Sequence, residues 1–159
     1  MSPDIANKAT VTKPSEREIQ VERVFAAPRE RVFAAYTDPE LIPQWWGPFE
    51  TTTTVEELDA RQGGRWRFKV VDSDGTEIEF RGVFRELVEP ERISMTFEWD
   101  GMPGYVSVDT ATFEDLGERT RIVSTTIFYT QEERDGMLDS GMEKGLSESY
   151  ARLDELLAA

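Results

Sequence analysis

The sequence predicts an α+β domain in which a curved antiparallel sheet of seven strands wraps around one long C-terminal helix. Two short helices are expected between the first and second strands. Apolar and polar residues alternate over much of residues 50–129, which is the period of half-buried strands. The last segment repeats its apolar residues at helical spacing instead. A chain of 159 residues also has the length of one domain with a real core.

The first strand is predicted over residues 17–25, after a flexible tail of residues 1–16 that precedes the domain of residues 17–159. One face of this strand holds four alternating side chains, Ile19, Val21, Arg23 and Phe25. Pro28 then suits the first position of a helix. A short second helix is predicted to begin at Asp38, whose side chain can cap it, and to end near Pro43.

Three later strands carry the clearest alternation. Further strands are expected near residues 51–58, 105–114 and 119–129, with hairpin turns at Asp74-Gly75 and at Leu116-Gly117. The inward faces of the three clearest strands share six large aromatic side chains: Trp66, Phe68, Phe80, Phe84, Phe97 and Trp99. Such a stripe is first of all core, and part of it can also line a cavity.

The C-terminal segment is predicted to cover the apolar face of the sheet. Thr130 and Glu133 have the spacing of a capping box at a helix start. Glycines weaken the early part of this segment, so a break is expected near Ser140-Gly141, followed by an unbroken helix to about Leu157. A curved sheet does not close tightly on a straight helix, and a cavity is therefore expected between them.

Composition excludes several classes of function. The net charge of −14 argues against nucleic acid and against anionic membrane surfaces as partners. No segment is apolar enough for membrane insertion or for a signal peptide, so a cytoplasmic protein is expected. The sequence contains no cysteine and no histidine, which excludes disulfides, thiolate zinc sites and Ser-His-Asp catalysis. We predict no catalytic constellation, no metal site and no cofactor.

The segment VERVFAAPRERVFAAYTDPELIPQWWGP resembles the opening motif of the START-like superfamily, also called SRPBCC or birch-pollen-allergen-like. Within it, the sequence is similar to the branch named after the activator of the heat-shock-protein ATPase. GGRWRF, DGTEIEFRGVFRELVEPERISMTF and SGMEKGLSESYARLDELL extend the match from about residue 17 to the C-terminus. The resemblance implies a helix-grip fold with a deep pocket. Relatives carry lipids, plant hormones or polyketides there, and some are cyclases or aromatases.

Trp45 and Trp46 are expected where the short helices meet the open end of the grip. They could form a rim that shields an apolar ligand, or a packed corner that joins the helices to the sheet. Adjacent residues at a helix end point about 100° apart, so one is expected to face inward and the other the mouth. Leu146 stands where relatives often have tryptophan, which implies more room in the pocket.

Arg23 is expected on the covered face of its strand, where an unpaired guanidinium would be costly. It could bind an anionic group of the ligand, pair with an internal acid, or reach water at a twisted strand end. The full set of candidate ligand-binding residues is Arg23, Trp45, Trp46, Trp66, Phe68, Phe80, Phe97, Trp99, Met142 and Leu146.

The function favoured by the sequence is non-catalytic binding of a small hydrophobic ligand, whether lipid-like, aromatic or polyketide-like. One alternative is an enzyme of the polyketide cyclase or aromatase type, in which the pocket shape folds the substrate. Another is a co-chaperone-like interaction module of the stress response. The protein is expected to be a monomer or a homodimer.

Overall fold

One antiparallel sheet of eight strands dominates the computed structural model, which describes residues 8–159. The spatial order of the strands is β1-β2-β8-β7-β6-β5-β4-β3. The connection from β2 to β3 therefore crosses from one side of the sheet to the other. In chain order the strands are β1 Thr10–Thr12, β2 Glu18–Phe25, β3 Thr52–Leu58, β4 Arg65–Val71, β5 Glu77–Val88, β6 Arg92–Trp99, β7 Ser107–Asp115 and β8 Thr120–Ile127.

Over the described residues, three α-helices accompany the sheet, and a 3-10 turn lies in the crossing connection. The helices are α1 Arg29–Thr37, α2 Gln131–Asp139 and α3 Met142–Ala158, and the 3-10 turn is Ile42–Gln44. The predicted helix-grip architecture is confirmed, with α3 as its long helix. None of the helices in residues 8–159 combines the length and the apolar character needed to cross a membrane.

The predicted count of seven strands is too low by one. The additional strand is β1, which pairs antiparallel with β2 through Val11 and Val21. Its three residues are too few for alternation to be recognisable in the sequence. This strand lies in the segment predicted as a tail, of which residues 1–7 are outside the described residues. The division between tail and domain at residue 17 stays a prediction.

The crossing connection is tighter than the sequence indicates. The second of the two short helices is a single 3-10 turn, and Pro43 lies within it rather than after it. Asp38 precedes the 3-10 turn in the chain. Its carboxylate accepts a hydrogen bond from the Glu40 backbone N–H at 2.8 Å. This is the contact that a capping side chain makes, because a helix cap accepts the backbone N–H two or three residues later.

The covering helices begin and end where the sequence predicts. Thr130 caps α2, with its hydroxyl accepting the Glu133 N–H at 3.1 Å and donating to the Glu133 carboxylate at 2.9 Å. Gly141 then adopts φ +83°, a left-handed conformation that favours glycine, and separates α2 from α3. This break allows the two helices to follow different directions over the curved sheet.

The core lies between the inner face of the sheet and helices α1 and α3. Leu153 of α3 is fully buried, and the Tyr150 ring meets Phe25 edge-on at 5.1 Å between centroids. Below α1, Phe33 contacts Phe113 at 5.2 Å in a similar arrangement. These contacts hold the sheet against α1 and α3.

The two outer strands of the sheet differ from regular edges. β1 has three residues, and β3 carries an irregularity in its pairing with β4 between Val55 and Glu57. Glu56 occupies the irregular position, and its neighbour Glu57 lies within 3.4 Å of the Arg65 guanidinium. The sheet is therefore bordered by one very short strand and one interrupted, charged strand.

Candidate ligand-binding cavity

A cavity of about 520 Å³ lies between the inner face of the sheet and α3. Six strands contribute to its wall, together with α1, α2, α3 and the turn of residues 45–48. Tyr150, whose ring meets Phe25 edge-on, is one of the α3 residues that border it. The volume is in the range of small-molecule sites in proteins.

Aromatic rings form one continuous wall of the cavity. The Trp66 ring lies 4.9 Å from Phe68 and 6.0 Å from Phe97, and Phe80 lies 5.3 Å from Phe97. Trp46 closes the group, with its ring edge-on to Phe68 and to Phe80 at 5.2 Å each. Tilted and edge-on contacts of this kind stabilise aromatic pairs beyond their burial.

Trp45 and Trp46 have separate roles in the turn that carries them. Trp45 is 3% exposed, its indole N–H donates to the Ala35 carbonyl at 2.8 Å, and its ring contacts Tyr36 in a tilted arrangement. Trp46 is half-buried and reaches the aromatic wall from the cavity's rim. Both rings also border the cavity. Trp45 therefore fits the interpretation as a packed corner that joins the helices to the sheet, and Trp46 fits the interpretation as part of the cavity's rim.

Helix α3 holds this turn in place through polar contacts. The Ser149 hydroxyl donates to the Trp45 carbonyl at 2.9 Å and accepts the Gly47 N–H at 3.3 Å. Arg152 donates to the Gly47 carbonyl at 3.1 Å. Since backbone groups are fixed on both sides of Trp46, the position of its ring at the rim depends on α3.

Asp109 is the carboxyl group in the depth of the cavity. It lies on the inner face of β7, and its Oδ1 accepts hydrogen bonds from Ser124 at 2.6 Å and from Thr126 at 3.3 Å. Burial raises the pKa of Asp109, and the two hydroxyl donors oppose that shift. Asp109 and its two hydroxyl partners form a polar end of the mostly apolar cavity.

Two tyrosine hydroxyls add to this polar end. Burial raises the pKa of Tyr36 well above its usual value, and the neighbouring Tyr150 adds to the shift. Burial also raises the pKa of Tyr150 to about 12, with a contribution from Asp109. Both phenols are therefore neutral at physiological pH, and each can donate as well as accept a hydrogen bond.

The substitution Asp109→Asn is expected to remove a pH dependence of stability. Folding raises the pKa of this carboxyl. At pH values between the pKa of the unfolded chain and that of the folded protein, the folded state therefore binds more protons. The wild-type protein therefore loses stability there, whereas asparagine does not titrate. Urea unfolding between about pH 3 and about pH 7 should show the variant gaining stability relative to wild type as pH rises.

A matched control for this experiment is Val108→Ala, on the outer face of the same strand. It should displace the stability curve by a similar amount at every pH, because no titrating group is changed. A constant difference between Asp109→Asn and wild type across the whole pH range would contradict the pKa shift.

Arg23 does not line the cavity, contrary to its inclusion among the candidate ligand-binding residues. Arg23 is 5% exposed, and its guanidinium forms a bidentate ion pair with Asp154, with nitrogen-to-oxygen distances of 2.8 and 2.5 Å. It also lies over the Phe25 ring at 4.5 Å. Of the alternatives that the sequence left open, pairing with an internal acid is the one that the geometry matches.

Trp99 is also outside the cavity wall. It is 40% exposed, and its ring lies against the backbone of Gly101 in the turn that follows β6. The alternation of β6 places it on the same face as Phe97, but the strand ends at this residue. Its side chain therefore folds over the adjoining turn, beyond the edge of the wall.

The other eight candidate residues are brought together. These are Trp45, Trp46, Trp66, Phe68, Phe80, Phe97, Met142 and Leu146, all of which border the cavity. Sequence reasoning overlooked Asp109, although its position was readable: in SVDTATF it alternates with Ser107, Ala111 and Phe113 on the inward face. Within residues 8–159, no three acidic side chains are grouped so that they could hold a metal ion.

Comparison with known families decides the relationship of this chain. Residues 26–158 match the family model described as activator of Hsp90 ATPase homolog 1-like protein. The chain belongs to this family. The matched residues include Asp109 and all eight candidate residues that border the cavity. The sequence has no match among the curated proteins.

Solved structures similar to this member of the activator of Hsp90 ATPase homolog 1-like family come from several bacteria. A Rhodobacter sphaeroides protein has a TM-score of 0.90 at 24% identity, over 96% of this chain and 99% of its own. An Arthrobacter aurescens protein has 0.86 at 26%, over 94% and 91%. Protein CV1439 of Chromobacterium violaceum has 0.80 at 28%, over 91% and 99%. The family's fold is compatible with the binding of a small ligand.

Proposed function

We propose that the protein binds a small apolar molecule in the cavity between the sheet and α3, without transforming it. The observation that carries the proposal is the cavity itself, at about 520 Å³ and with a mostly apolar wall. Side chains at this position could instead have met α3 and closed the space. A hollow of this size costs packing energy, and a bound apolar molecule would restore the lost contacts.

The construction of the rim supports the same function. Trp46 contacts the aromatic wall on one side, and its backbone neighbours are fixed to α3 by Ser149 and Arg152. Met137 and Met142 contribute unbranched, adaptable side chains near the covering helices. With adaptable methionines opposite an aromatic wall, the cavity can accommodate apolar ligands of different shapes.

The non-catalytic character is proposed from the chemistry of the wall. The sequence has no histidine or cysteine. The described cavity wall contains two carboxyl groups, Asp109 in the depth and Asp72 toward the β4–β5 turn, and no lysine or arginine. These two carboxyl groups are on different parts of the wall and do not form a paired acid and base. General acid–base catalysis requires groups placed within reach of the same substrate atoms.

A cyclase-type activity is the second candidate, and Asp109 is the observation that favours it. A buried carboxyl beside two neutral phenols could exchange a proton with a folded substrate. Incubation with reactive polyketide-like chains, followed by mass and chromatographic analysis of products, tests this activity. Product formation that disappears in Asp109→Asn would replace the non-catalytic proposal.

Binding can be tested with Nile red, an uncharged apolar dye whose emission rises in dry surroundings. The double variant Leu146→Trp and Ala111→Phe enlarges two side chains that border the cavity. Because little room would remain for the dye, its affinity is expected to fall by at least about tenfold, equivalent to about 1.4 kcal/mol. Fluorescence titration measures the change, and thermal unfolding confirms that the variant is folded.

Lys144→Trp provides the matched control for added bulk. Lys144 is exposed on α3 and does not border the cavity. This variant should bind the dye as wild type does. Equal affinities of all three proteins would place the dye elsewhere, and no detectable binding to wild type would count against an apolar-ligand function.

A further inference from the structure

We infer that the cavity selects an uncharged apolar ligand that carries a hydroxyl group, and that it rejects carboxylates such as fatty acids. The ligand's hydroxyl would be held by Asp109 at the deep, polar end of the cavity. The inference rests on the proposed function and concerns the same site. It follows from which charges border the cavity, which atoms of Asp109 are engaged, and what the two tyrosines can offer.

The charges on the wall are unfavourable to an anion. Over the described residues, the cavity is bordered by Asp72 and Asp109 and by no lysine or arginine. Arg23 lies behind the wall, where Asp154 engages both of its terminal nitrogens. Arg152 lies at the rim turn and donates to the backbone carbonyls of residues 43, 47 and 48. A buried ligand carboxylate would therefore have no counter-ion and would face a carboxyl group.

Asp109 has one oxygen available to a ligand. Both hydroxyl donors, Ser124 and Thr126, bond to Oδ1. Among the described residues, no side chain or backbone N–H donates to Oδ2. Asp109 is enclosed by the fold and also borders the cavity. A donor on the ligand would complete the hydrogen bonding of this oxygen, which an entirely apolar ligand would leave unsatisfied.

The neutral tyrosines favour a hydroxyl over an ammonium as that donor. Tyr36 and Tyr150 both border the cavity and lie near Asp109. Each phenol can donate as well as accept, so a ligand hydroxyl can donate to Asp109 and accept from a tyrosine. An ammonium group has donors only and could not use the tyrosine hydrogens. A hydroxyl therefore matches the polar end of the cavity more completely than either charged group.

Three probes with one aromatic body compare a hydroxyl, a methyl group and a carboxylate: naphthol, methylnaphthalene and naphthoate. We expect wild type to bind naphthol at least about threefold more tightly than methylnaphthalene, since a net hydrogen bond is gained. Naphthol should bind at least about tenfold more tightly than naphthoate, because the buried carboxylate of naphthoate would have no counter-ion. Equilibrium dialysis at neutral pH measures all three affinities against the same protein sample.

The variant Asp109→Asn should reduce this preference. An asparagine amide can donate to a carboxylate and carries no charge, so the ratio of naphthol to naphthoate affinity should fall to less than about threefold. Asp139→Asn is the matched control, because it removes an exposed carboxylate at the end of α2 that does not border the cavity. It should leave the preference as in wild type.

The possible outcomes separate the two proposals. If the protein binds Nile red and methylnaphthalene but has equal affinities for naphthol and naphthoate, the inference is overturned and the proposed function stays in place. Failure of naphthol to bind a protein that binds Nile red would also overturn it. Failure of every probe, including Nile red, would remove the proposed function and the inference together. Should Asp109→Asn not fold, the wild-type affinity order still decides.

Discussion

Asp154→Ala is expected to lower the free energy of unfolding by about 3 kcal/mol, because it leaves the Arg23 guanidinium buried without its ionic partner. Arg23 is 5% exposed, and both of its terminal nitrogens bond to the Asp154 carboxylate. The remaining polar contact of Arg23 is to the Val24 carbonyl at 2.9 Å. Since the Asp154 side chain is 33% exposed, water would partly compensate the charge, and the low end of the usual range applies.

Chemical denaturation of wild type and variant measures this loss. Asp139→Ala, an exposed carboxylate at the end of α2, is the control and should change stability by less than about 0.5 kcal/mol. The double variant Arg23→Met and Asp154→Leu replaces the pair with apolar side chains and should recover much of the stability. If Asp154→Ala were as stable as wild type, the guanidinium would have found another partner or water.

Gly82→Ala is expected to cost about 3 kcal/mol through overpacking of the sheet. Gly82 faces Trp66 across β4 and β5, and a methyl group there would lie 1.9 Å from the Thr96 carbonyl oxygen and 2.6 Å from the Trp66 indole nitrogen. The carbonyl belongs to the backbone of β6, so relief requires the sheet to shift. Trp66 is 1% exposed and has little freedom to move aside.

The same chemical change at Gly136 should have the opposite effect. Gly136 lies within α2, and a methyl group there would meet no atom within 4 Å. Alanine is the better helix former, so Gly136→Ala is expected to stabilise the protein by about 0.5 to 1 kcal/mol. Thermal unfolding of both variants against wild type checks the pair of predictions. A mild effect at Gly82 would show that β6 yields easily at Thr96.

Local patterns in the sequence were sufficient for most of the fold. The alternation in GRWRFKVV placed Trp66 and Phe68 on the wall because side-chain direction in a strand follows the residue number. The cap at Thr130 and the break at Gly141 were readable because both depend on neighbouring residues. Trp66, Phe68, Phe80 and Phe97 border the cavity for this reason.

The exceptions depend on contacts that are distant in sequence or on where an element ends. The partner of Arg23 is 131 positions away, and no local pattern connects residue 23 with residue 154. Trp99 obeys the alternation of β6, but its strand ends there, and its ring turns onto Gly101. Asp109 had a local signal, an acidic residue on the strand face that it shares with Ala111 and Phe113. The meaning of that signal required knowing that a cavity lies in front of Asp109.

The borders of the sheet influence how the molecule can associate with copies of itself. A long flat border would offer unpaired backbone groups to another chain. Here one border has the three residues of β1, and the other has the irregular pairing at Val55 to Glu57 with two consecutive glutamates. Bringing the β3 borders of two molecules together would oppose their glutamates and misalign the backbone groups. Growth of the sheet from molecule to molecule, the route to fibres, is thereby disfavoured at high protein concentration.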